Sequence, residues 1–167
     1  MIVEVAYGEH GTPGVSIASA AHPWLLDKLR GSMNLPPQEL AILPETRLFL
    51  ARLREICDIS PLAAIGALGI GSEKLLIPEY TAARMAFEAS WPECEYQTFL
   101  DANIEDDTSH AVLMSNAAGA LIALGSDPEH YLKGARVSID ARMAYYTTLL
   151  TSCVRKDSAT LPDIVNS

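Results

Sequence analysis

The chain has 167 residues, 49% of them hydrophobic, with 21 acidic against 12 basic side chains and a formal charge of −9. That is enough chain to bury one core, and it is too apolar to stay disordered. The acidity, with no basic cluster larger than Arg155-Lys156, argues against a phosphate-backbone partner, so no nucleic acid is expected.

Met1 to Tyr7 reads as an extended arm or the end of a helix, and no basic region followed by an apolar stretch marks a leader. Gly8 to Val15 is loop-like in its glycine and proline content. Ser16 to Met33 reads as helical, with Trp24, Leu25, Leu26 and Leu29 on adjoining faces. Pro23 inside it predicts either a start or a kink at that point. Asn34 to Pro37 is a turn. Pro44 or Glu45 opens a helix to about Cys57, with Leu48, Leu50, Leu53 and Ile56 as its apolar positions.

Ser60-Pro61 is a strong helix start, a capping hydroxyl followed by a proline at the first helical position. That helix can run to about Phe87, with a bend expected near Pro78. Its most apolar stretch, Pro61 to Gly71, is well short of the ~20 residues a membrane span needs, so no membrane association is expected. Glu93 to Leu124 is a long helical pattern. Asp127-Pro128-Glu129 starts a last helix that ends near Arg155, and residues 158–167 read as a tail. The reading is therefore all-α: a single helical bundle domain over 1–157. Cys57, Cys94 and Cys153 are far apart and odd in number, which fits reduced, small apolar residues in a cytoplasmic protein. Trp91, Tyr145 and Tyr146 read as core or pocket lining.

The chemistry concentrates in Asn103-Ile104-Glu105-Asp106-Asp107-Thr108-Ser109-His110. At ~100° per residue, Asn103, Asp107 and His110 fall within about 60° of one another and share a helix face. Two readings fit: a solvated acidic face with His110 at its edge, or a carboxylate and an imidazole on adjacent turns acting as iron or manganese ligands. Glu73 sits among apolar residues, between Ala67 and Pro78. It is either a buried carboxylate that needs a partner or a surface Glu beside Lys74.

These residues resemble the haem-oxygenase-like diiron oxidases, the iron-containing redox enzymes, whose superfamily also holds thiaminase-II-like proteins and pyrroloquinoline quinone synthase. That family carries a His, an Asp four residues on and a His three further; Asn103, Asp107 and His110 stand at that spacing. Its preceding core helix carries Glu in a Gly-x-Glu context, matched by Gly71-Ser72-Glu73-Lys74-Leu75-Leu76-Ile77-Pro78. Glu9 and His22-Pro23-Trp24-Leu25-Leu26 resemble the family's earlier Glu and helix entry, with His10 as a competitor to Glu9. The similarity runs from about Glu9 to about Leu124.

The resemblance implies a haem-oxygenase-like bundle lacking the usual first helix, and a metal site drawn from Glu9, His22, Glu73, Asp107 and His110. It implies one or two iron ions that activate dioxygen for oxidation of a small amine, amino acid or fatty acid. Asn103 in place of the family's first His weakens one iron position. The alternative is a metal-free binding or partner protein; a third reading is a cofactor-independent enzyme of the thiaminase or quinone-synthase kind. A missing first helix would leave an apolar groove, so a homodimer or a complex with another protein is expected, with Ala111–Leu124 and Met143–Leu150 as its candidate faces.

Overall fold

A computed structural model of the chain describes residues 22–33 and 43–160, with side chains as far as 152. The described residues are helical and contain no strand. The helices are α1 (His22–Ser32), α2 (Pro44–Cys57), α3 (Pro61–Ile65), α4 (Leu75–Ser90), α5 (Tyr96–Ala123) and α6 (Pro128–Thr160). A π-helical segment, Gly66–Lys74, joins α3 to α4 without a break. No helix among the described residues is long and apolar enough to cross a membrane. Glu9, the 1–7 arm and residues 161–167 lie outside the described residues.

Local chemistry sets the helix ends. The Ser60 hydroxyl accepts from Ala63 N at 3.1 Å and Pro61 takes the first helical position, so α3 starts as expected. Asp127 Oδ1 accepts from Glu129 N at 3.0 Å and starts α6 in the same way. At the end of α5, Gly125 takes a left-handed φ of 95°. Its N–H bonds Ile122 O while Ser126 N–H bonds Leu121 O, which closes the helix with a Schellman pair. In α1, Ser32 Oγ donates to Leu29 O and accepts from Glu95 N, tying this helix end to the entry of α5.

The α3–π segment lies at the centre and packs on both α6 and α5. The α2 helix lies on α6, while α1 and α4 lie on α5. Backbones approach closely at glycines. A Cβ on Gly66 would collide with the Tyr131 carbonyl, one on Gly134 with the backbone of Ala63, and one on Gly71 with the Ser138 side chain. The expected bend near Pro78 is not the main irregularity. Departure from α geometry falls upstream, in the stretch of Gly66, Gly69 and Gly71, and the chain is α-helical through Pro78. Tertiary contact explains this: Gly66 and Gly71 let the segment press onto α6 and Gly69 lets it press onto Met114 of α5, and a wider helix accommodates both.

Two apolar clusters make the core. Leu62, Ile65, Met114, Ala117 and Ala118 form one; Leu29, Cys94, Tyr96 and Leu100 form the other. Cys94 is buried and Cys57 half-buried, both as free thiols. Trp91 departs from the core reading: it lies just past α4, is 51% exposed, and meets Phe87 at the margin of the second cluster. Tyr145 stacks on Phe49 with ring centroids 5.2 Å apart.

Candidate metal centre

The buried stripe of α5 reads Leu100, Asn103, Asp107, His110, Met114, Ala117, at alternating spacings of three and four. Its two ends belong to the two apolar clusters, and its middle is polar. The acidic run is thereby split. Glu105 is exposed and Asp106 partly so, whereas Asp107 is only 2% exposed. The stripe is therefore an interior face, and the solvated-face reading does not hold for Asp107 or His110.

Glu73 arrives from the π-helical segment. Its neighbour Lys74 is exposed, but the Glu73 side chain is turned inward, at 14% exposure. His110 Nδ1 lies 3.3 Å from Glu73 Oε2. Glu73, Asp107 and His110 each offer one ligand atom, and these atoms all lie within 4.8 Å of one another. Two carboxylates this close and this buried repel each other, and a divalent cation between them would relieve the repulsion. Oxygen and imidazole donors in such a set suit iron or manganese, and three protein ligands leave coordination positions open. The residues present thus fit a metal ion.

Of the other expected ligands, His22 is the one among the described residues, and it falls elsewhere. His22 begins α1 and is 8% exposed, but its Nε2 faces Asp106 Oδ2 at 3.1 Å and it is not part of the three-donor cluster. Asn103 is buried one turn before Asp107, and its amide nitrogen donates to Phe99 O at 2.7 Å.

Arg142 escapes a sequence reading. It is 8% exposed, on α6. Its Nε donates to Gly71 O at 3.2 Å, its Nη1 to Glu79 Oε2 at 2.8 Å and its Nη2 to Ser72 Oγ at 3.0 Å. The guanidinium also lies 5.6 Å from the centre of the Phe49 ring. The Tyr146 hydroxyl donates to the same Glu79 oxygen; its phenol is raised above its ordinary pKa by burial first and by Glu79 second. The signal was present in spacing: Gly134, Ala135, Ser138 and Arg142 form one buried stripe, and a long cation at the end of a small-residue stripe needs acceptors on the facing helix.

A cavity of about 660 Å³ opens between α2 and α6, lined by residues that include Leu48, Phe49, Val137, Ala141 and Tyr145, and none of the three donors lines it. Compared with known proteins, the chain matches no family model, no curated protein and no solved structure.

Proposed function

We propose that this helical bundle is haem-oxygenase-like and works as a non-haem iron-dependent oxidase or oxygenase on a small amine, amino acid or fatty acid. The observation that carries the reading is the meeting of Glu73, Asp107 and His110, from two separate elements, with ligand atoms within 4.8 Å. A ferrous ion held there would supply dioxygen activation, with carboxylates stabilising its higher oxidation states. The chain's own residues do the rest. Glu73 and Asp107 bring two negative charges that balance a divalent cation, and the apolar clusters at either end of the α5 stripe limit the access of water. In this reading Glu9 is the candidate for a further ligand, while His22 stands beside Asp106, outside the three-donor cluster.

A second reading, a metal-free binding or partner protein, is favoured by Asn103. It stands where the resembled family has a histidine, and its amide nitrogen is engaged by Phe99 O. Dioxygen uptake separates the two. Ferrous-loaded protein should consume oxygen with one of these substrate classes faster than free iron does, and His110→Ala should abolish the excess. Uptake no faster than free iron across all three classes would favour the metal-free protein.

A further inference from the structure

We infer that Arg142 is a positioning residue, whose guanidinium holds the π-helical segment in the register that aims Glu73 at Asp107 and His110. The inference rests on the metal-site reading for its functional meaning, though not for its geometry. A run of nine π-helical residues is unusual, because i→i+5 bonding is intrinsically poorer than α-helical bonding and is mostly seen as single-turn bulges. Such a run persists only where tertiary contacts favour it. Over the same residues an α-helical register would turn Glu73 to another face, away from α5.

Arg142 is placed to make that choice. One of its donors takes a backbone carbonyl inside the segment, Gly71 O; another takes Ser72 Oγ, the residue before Glu73; a third takes Glu79 Oε2, in the α-helix that follows. The three acceptors thus bracket Glu73 and the junction between the two helical registers. A planar fork reaches all of them at once, which an ammonium cannot do. Gly71 has no Cβ where Ser138, one turn before Arg142, presses against it, so α6 comes close enough for the guanidinium to reach. Glu79 is itself held by the Tyr146 hydroxyl and balances the buried charge. Arg142 touches neither Asp107 nor His110 in any bond described above; it acts through the segment.

The test uses the whole chain and two readouts. Amide hydrogen exchange is followed at 66–75 and, as an internal reference, at 107–114. Manganese affinity is measured by the loss of the free-ion electron paramagnetic resonance signal. In Arg142→Met, exchange at 66–75 should rise about tenfold more than at 107–114, and manganese affinity should fall about 10–100-fold. Arg142→Lys should recover only part of either. Ser72→Ala removes the acceptor next to Glu73 with little risk to folding, and should shift both readouts the same way by a smaller factor. If Arg142→Met, or Ser72→Ala should the former not fold, leaves exchange at 66–75 at the wild-type level, the inference is overturned. Wild-type protein that binds no manganese would remove the metal reading alone, and the exchange readout would still decide the role of Arg142.

Discussion

Asp107→Asn separates a metal site from a structural ion pair. The substitution keeps the shape and removes one charge from a residue that is 2% exposed, with a Glu73 ligand atom within 4.8 Å. If the cluster is built for a cation, the Glu73 and Asp107 carboxylates repel each other in the apo protein. The variant should then be as stable as wild type, or about 0–2 kcal/mol more stable. Wild type should gain what the amide variant cannot: at a free divalent ion concentration about 100 times the dissociation constant, binding adds about 2.7 kcal/mol. For a chain of 167 residues each kcal/mol moves the melting temperature by about 2–4 °C. A rise of about 5–11 °C is therefore expected in wild type, and almost none in the variant. The assay is thermal unfolding followed by circular dichroism, anaerobic, with and without ferrous ion. A variant that loses about 3–5 kcal/mol, as a broken buried ion pair does, in a protein whose wild type ignores metal, would refute the reasoning.

Asn103→His should add an imidazole one turn before Asp107 and raise iron content per chain, measured by elemental analysis after anaerobic loading; unchanged stoichiometry in a folded variant would mean that either the register of the motif or the availability of the other ligands is misread. Gly134→Ala and Gly119→Ala should change stability in opposite directions. The first drives a Cβ into the Ala63 backbone and should cost about 1–3 kcal/mol, while the second meets nothing within 4 Å and should gain about 0.5–1 kcal/mol of helix propensity, both read by urea unfolding. Val112, Leu124, Met143 and Leu150 are all more than half exposed, so the homodimer that the sequence leads one to expect, as one of its two forms of association, should appear in sedimentation equilibrium at micromolar concentration. A strict monomer there would leave these faces for another protein or for none.

What could be read from the residues alone is what local chemistry decides. Ser60-Pro61 and Asp127-Pro128 announce helix starts because a capping oxygen and a proline act within a few residues of themselves. The α5 stripe was legible because 3.6-residue periodicity places Asn103, Asp107 and His110 on one face, and Glu73 stood out as a carboxylate among apolar neighbours. The rest depends on distant chain. Nothing near Gly66 or Gly71 dictates a π-helix; its cause is the backbone of Tyr131, the side chain of Ser138 and the guanidinium of Arg142, all far along the chain on α6. His22 was legible as a polar residue at a helix start, but its partner Asp106 was not, since the acidic run offers neighbouring carboxylates and only tertiary packing selects one. Trp91 was misread because aromatic size suggests burial, while its place just past the end of α4 leaves it half in solvent.

The central claim is that Glu73, Asp107 and His110 hold one metal ion. Crystals grown with manganese, measured at wavelengths on either side of the manganese absorption edge, test it directly. An anomalous peak is predicted among these three side chains in wild type, with its loss in Asp107→Asn. Side chains left in place with no peak at saturating manganese, or a peak only at exposed carboxylates such as Glu105, would contradict the claim.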